Sequence, residues 1–249
     1  MTKKALLPTE IERFSSVALS NLSLPEQVYR LLREMIMMGR LQPGDRIVES
    51  KISKQLELGQ PTVRDALRRL ESDGLVIYSR NRGCSVTEFS LREYEQTFRV
   101  RIELECLAAE LAIENWSKEK SAELGAKVDE LLEAAAERNV ERFYRGDLDF
   151  HRTLWEAADN PYLVRALVQI TAPLFAFSMI RLIREELLDL KFAAEEHRRI
   201  VDVMDRGDPQ QARAVVREAL AGFEQRARGI VAQVSEAASE SDEGAPGNL

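Results

Sequence analysis

The run QPTVRDALRRLESDGLVIYSRNRGCSV, Gln60 to Val86, decides how the N-terminal part of this chain folds. Val63, Ala66, Leu67 and Leu70 recur at three- and four-residue spacing, which makes one apolar helix face and leaves Arg64, Arg68 and Arg69 on the others. Gly59 stands at the N-cap, Pro61 lies in the first turn where its missing donor costs little, and Gly74 caps the other end. Leu75 to Tyr78 then reads as a strand, the polar tip Ser79 to Gly83 turns the chain, and a second strand ends near Thr87. Upstream, Leu24 to Met38 carries Val28, Leu31, Leu32, Met35 and Ile36 on one stripe. The turn GRLQPGDRI follows, with Pro43 and Gly44 as helix breakers, and Glu49 to Leu58 reads as a short second helix. Three helices and a hairpin make a winged helix-turn-helix over residues 24–88.

These residues resemble the GntR family of bacterial transcription regulators, whose DNA domain has a GRLxPGxxLxE turn, a TPVREALRRLxxxGLV helix and an NRG wing. The matching positions are Gly39 to Leu41, Pro43, Gly44, Glu49, Val63, Arg64, Ala66 to Leu70, Gly74 to Val76 and Asn81 to Gly83. The resemblance implies a double-stranded DNA operator, with Lys51, Gln60, Thr62 and Arg64 on bases or phosphates and Arg82 and Gly83 in the wing. The chain departs from the family at Gly59, Gln60 and Pro61, where Ser, Arg and Thr are common. Glutamine matches the edge of adenine and arginine the acceptors of guanine, so the half-site is expected to differ from the usual one.

Charge agrees in sign. Residues 24–88 hold 11 Lys and Arg against 9 Asp and Glu, a balance of +2, while the whole chain is −7 and the remainder −9. At 249 residues there is room for this small domain and one larger one. No apolar run reaches the length of a membrane span and the N-terminus has no signal-like segment, so a cytoplasmic protein is expected. Cys84 and Cys106 have no metal-ligand spacing and read as reduced, structural thiols, the alternative for Cys84 being an oxidant sensor in the wing. Residues 1–23 lack a period and residues 236–249 form an acidic, small-residue stretch, and both are expected to be loose tails.

Residues 89–235 read as six amphipathic helices: Leu91 to Trp116, Lys118 to Arg138, Val140 to Ala158, Pro161 to Arg184, Glu185 to Arg206 and Pro209 to Val234. Short connections between them predict an all-α bundle, an architecture that places ligand and metal sites among its facing side chains. The marks RIELECLAAELA from Arg101, DLDFHRTLWEAADNP from Asp147 and EEHRRIVDVMDRGDPQQA from Glu195 are similar to the FCD ligand domain of FadR-type GntR regulators. That resemblance implies a homodimer on a palindromic operator, usually a repressor, that senses a small organic acid inside the bundle.

The only two histidines, His151 and His197, each fall within such a mark. Asp147 and His151 are four apart on one helix face, and His197 shares a stripe with Leu190, Ala194, Val201 and Met204, so all three are expected to point inward. In the family these positions and a histidine on the last helix hold a divalent metal. Here that fourth position is Ala219, which leaves one carboxylate and two imidazoles for zinc or nickel, or a hydrogen-bonded polar cluster instead. For a carboxylate effector the candidate cations are Arg101, on a stripe with Tyr94, Phe98, Glu105 and Ala108, and Arg181. For both, an internal salt bridge, for instance with Glu105, or a dimer contact is the competing role. Two other function classes remain open at this point: a metal-dependent enzyme using Asp147, His151 and His197, and a DNA-binding dimer whose bundle has lost its ligand.

Overall fold

A computed structural model of the chain describes residues 22–80, 83–179 and 189–243. It divides into two compact units, one with the residues up to Glu88 and Phe175–Phe177, the other with Phe89–Leu174 and the residues from Ser178 onward.

In the first unit α1 spans Leu24–Met37, β1 Arg46–Ile47, α2 Glu49–Leu56, α3 Gln60–Ser72, β2 Val76–Ser79 and β3 Gly83–Val86. Both apolar stripes are buried: Val28, Leu32, Met35 and Ile36 of α1 meet Val63, Ala66, Leu67 and Leu70 of α3 in one core. α3 stops where glycine allows a left-handed residue. Gly74 sits at φ +73°, its N–H donates to Glu71 and that of Leu75 to Leu70, a Schellman closure. α1 ends by the same device at Gly39, with the N–H groups of Gly39 and Arg40 reaching Ile36 and Met35. Its stop therefore precedes Pro43 and Gly44, the expected breakers, which shape the following turn instead. Gly44 sits at φ +80°, a backbone conformation that strains any L side chain, and a Cβ there would also push the Glu88 carboxylate, 2.8 Å away, aside.

The sheet has three strands where the sequence predicts two. Arg46–Ile47, read as turn, pairs antiparallel with β3, giving the order β1-β3-β2 with Ile47 opposite Cys84 and Tyr78 opposite Cys84 on the other side. The hairpin strands start and end within a residue of expectation. Cys84 is buried in this sheet.

The second unit contains α4 (Leu91–Ala112), α5 (Lys118–Ala136), α6 (Val140–Glu156), α7 (Pro161–Leu174), α8 (Leu190–Met204) and α9 (Pro209–Glu243). Side-chain caps set several starts: Ser90 and Glu93 form a capping box on α4, and Ser117, Asn139 and Asp189 accept backbone N–H groups at α5, α6 and α8. Around Phe98, Phe143, Phe150 and Leu154, all buried, α4 packs along α9 and α5 along α6 and α8.

Four boundaries differ from the sequence reading by more than two residues. α4 gives way to a 3-10 turn at Ile113–Asn115. α7 carries Pro173 in its last turn and continues as a π turn at Phe175–Met179, in keeping with the backbone donor that proline removes. α8 begins at Leu190, behind its Asp189 cap, rather than at Glu185. α9 runs on to Glu243, through much of the expected loose tail, because SEAASESDE is rich in helix-forming Ala and Glu. Residues 1–21 of the expected 1–23 tail, residues 244–249 of the C-terminal one, Arg82, and residues 180–188 with Arg181 lie outside the described residues. No described helix is long and apolar enough to cross a membrane.

Candidate functional site

On the first unit, Val63 and Leu67 are fully buried while Gln60 and Arg64 are exposed and Thr62 is half-buried. Lys51 is exposed on α2, and Gly83 is exposed at φ +74° where the wing turns back. Arg64 is not a free cation: its Nε and Nη2 donate to Glu49 Oε2 at 3.1 and 3.0 Å. Tyr78 Oη donates to the other Glu49 oxygen at 3.1 Å. Glu49 has no local signal in the sequence as the partner of Arg64 and Tyr78, because the three come from different elements. Burial, then Glu71, pushes the Cys84 thiol up to about 11, which removes the thiolate an oxidant sensor needs.

The second unit brings Asp147, His151 and His197 together. All three are buried, and each presents a ligand atom within 4.8 Å of the others. α6 supplies Asp147 and His151 one turn apart and α8 supplies His197, with Phe150 edge-on to the His197 ring at 4.5 Å. Behind them lies a relay. Arg101 Nε donates to Glu105 Oε1 at 2.6 Å, and Glu105 Oε2 meets His151 Nδ1 at 3.0 Å. Burial opposes charge on Glu105, but Arg101 and His151 outweigh it and hold the carboxyl well below its usual range. An anionic Glu105 can only accept, so His151 Nδ1 is the donor and Nε2 is the nitrogen it can offer to a ligand. Arg101 thus fills the salt-bridge role with Glu105, while the contact of Glu105 with His151, on another helix, has no local signal in the sequence.

His197 is oriented the same way, its Nδ1 2.6 Å from the Ala193 carbonyl. That leaves Nε2 facing Asp147 Oδ1 at 2.9 Å, yet off the line a hydrogen bond requires, and Nε2 and Asp147 Oδ2 are both buried without a hydrogen-bond partner. Burial works against both charges. The ion pair outweighs it, raising His197 above the ordinary histidine range and lowering Asp147. Two histidines each anchored through Nδ1, with a carboxylate oxygen left unpartnered beside them, are the donor set and outer-shell support of a divalent metal. The residues present fit such an ion. Ala219, on α9, is half-buried and contributes no donor. Trp155 Nε1, on the ring next to His151, is a further buried polar atom without a hydrogen-bond partner.

Comparison with known proteins covers both units. Residues 96–222 match the family described as FCD domain, and residues 24–86 match bacterial regulatory proteins of the gntR family. The probable D-xylose utilization operon transcriptional repressor of Paenarthrobacter nicotinovorans is 28% identical over 84% of this chain and 91% of its own length. The uncharacterized HTH-type transcriptional regulator YdhC of Bacillus subtilis is 27% identical over 75% of this chain and 83% of its own. Among solved structures, Escherichia coli McbR/YncC superposes with a TM-score of 0.72 at 24% identity, over 85% of this chain and 98% of that one.

Proposed function

From the premise that this chain belongs to the gntR-family transcription regulators with an FCD domain, and is not an enzyme, we propose that it represses transcription as a cytoplasmic homodimer. In this reading it binds a palindromic operator and changes its grip on DNA when a small organic acid enters the bundle. The observation that carries it is the buried Asp147, His151 and His197 set, backed by Arg101 and Glu105. A structural core has no need of two anchored imidazoles and an unpartnered carboxylate oxygen, since burying such groups without partners is costly.

Lys51, Gln60, Thr62, Arg64 and Gly83 contact DNA, with Arg82 completing the wing. Asp147, His151 and His197 would hold zinc or nickel, and with three protein ligands the ion supplies open positions for an effector carboxylate. Glu105 fixes the His151 ring, and Arg101 both holds Glu105 anionic and brings positive charge to the site. Arg181 is the second cation assigned to the acid. Dimerisation is supported by the exposed Val100 and Leu107 on α4, beside Leu104 and Leu111, which pack against Trp155 and Leu163 of the bundle core. Effector binding changes operator affinity only so far as the acid prefers one arrangement of the dimer.

The test is a titration of zinc-loaded and chelator-treated protein with a panel of small organic acids, while affinity for a duplex selected from a random pool is followed. At least one acid is expected to shift operator affinity, and only in the metal-loaded protein. No shift with any acid would leave a DNA-binding dimer without a sensor.

A further inference from the structure

Three elements of the first unit converge on one carboxylate. Glu49 opens α2, Arg64 lies in the second turn of α3 and Tyr78 is on β2. Both oxygens of Glu49 are engaged, Oε2 by the Nε and Nη2 of Arg64 and Oε1 by the hydroxyl of Tyr78. A guanidinium has five coplanar N–H donors. With the Nε edge turned to Glu49, the hydrogens still directed outward belong to Nη1 and to the second hydrogen of Nη2. That terminal edge presents two parallel N–H groups and can pair bidentately with guanine O6 and N7.

We propose that Glu49 is a positioning residue for base reading: steadied by Tyr78, it holds Arg64 with its terminal edge outward and so sets how sharply the protein separates its own operator from other DNA. This rests on the reading of Arg64 as a base contact. An arginine free in solution samples many rotamers and loses that freedom on docking, whereas one already held by a carboxylate has less to lose. The anion also acts on all DNA alike, since a negative charge near the phosphates weakens binding to any sequence. Positioning and repulsion therefore predict different things. A bystander Glu49, when removed, tightens binding to every duplex equally. A positioning Glu49, when removed, tightens binding to unrelated DNA but loosens the operator relative to it.

The experiment uses the full-length protein, a duplex that the wild type selects from a random pool and a scrambled duplex of the same composition, with affinities measured at several salt concentrations. Glu49→Ala is expected to lower the ratio of operator to scrambled affinity about threefold to tenfold, the scale of fixing one long side chain. Tyr78→Phe, which keeps the ring and loses only the hydroxyl, should lower it less and in the same direction. In an Arg64→Ala background, Glu49→Ala should change the ratio no further. An equal gain on both duplexes from Glu49→Ala, with no effect of Tyr78→Phe on the ratio, would overturn the proposal while leaving Arg64 as a base contact. If Arg64→Ala itself leaves the ratio unchanged, the underlying assignment of Arg64 fails and the proposal falls with it.

Discussion

The two units each contain an arginine and a glutamate joined through Nε, one pair across two elements and the other one turn apart on a helix, and the two sit in opposite surroundings. Arg64 and Glu49 have side chains 49% and 21% exposed, whereas Arg101 and Glu105 are 2% and 1% exposed. At the surface both ions keep much of their hydration, so the pair adds little to stability and its partners can be exchanged for a nucleic acid. In the bundle neither ion has water to fall back on, so each depends on buried partners, Glu105 on both Arg101 and His151. The same chemistry serves as an adjustable fitting in one unit and as fixed scaffolding in the other. The difference follows from where the apolar stripe runs: Arg64 lies off the α3 stripe, and Arg101 lies within that of α4.

The largest expected effect tests the buried side. Arg101→Ala leaves the buried Glu105 carboxylate with His151 alone to offset its charge and should destabilise the bundle by about 3–5 kcal/mol in denaturant unfolding. It should also change the acid limb. Glu105 titrates below its usual range when folded, so its contribution is fully present above the ordinary carboxylate pKa of about 4.3 and is lost as pH falls through the lower folded value. Wild-type stability should accordingly drop on acidification below roughly pH 4, and the mutant should show a shallower drop. A loss no greater than that of a surface mutation would erase the contrast between the two pairs.

Next in size is Arg64→Ala, which should reduce the preference for operator over scrambled DNA by about 10- to 100-fold. The thermal midpoint should hardly move, because a half-exposed pair carries little stability. A large fall in the midpoint would mean that the surface pair, too, is structural.

Ala219→His sharpens the buried side. If the half-buried Ala219 looks toward Asp147, His151 and His197, the added imidazole should tighten zinc binding about tenfold in chelator competition and raise the thermal midpoint when metal is present. Unchanged zinc affinity would show that the α9 face carrying residue 219 is turned away from the three ligands.

The smallest change is expected from Gln60→Arg, which should move preference at one base pair of each half-site from A·T toward G·C by about 1–3 kcal/mol, with total affinity little altered. Identical motifs from wild type and mutant in a selection experiment would remove Gln60 from base reading.

Much of this was legible because local spacing carries it. The stripes of α1 and α3 announced their helices, Gly74 its stop, and the i, i+4 pair of Asp147 and His151 a shared face aimed inward. Strand β1 was not legible: two residues, Arg46 and Ile47, become a strand only by pairing with Ser85 and Cys84, a partnership no local window contains. Gly39 was present in the turn motif, but the proline and glycine farther on gave a stronger breaker signal than the residue that closes α1. In the site, Arg101 and Glu105 could be paired on paper because they lie one turn apart. The bonds from Glu105 to His151, and from Glu49 to Arg64 and Tyr78, join separate elements and emerge only when the chain is folded.

The two cysteines have a practical consequence. Cys84 lies in the sheet of the first unit and Cys106 in α4 of the second, both buried and both with thiols pushed up by burial. Neither reacts readily with an alkylating reagent while its surroundings stay closed. Each is therefore a clock for its own unit, ticking only when that unit opens. A timed pulse of iodoacetamide, followed by peptide mass spectrometry, would read two opening rates from one sample, and adding operator DNA or an organic acid would show which clock each of them slows.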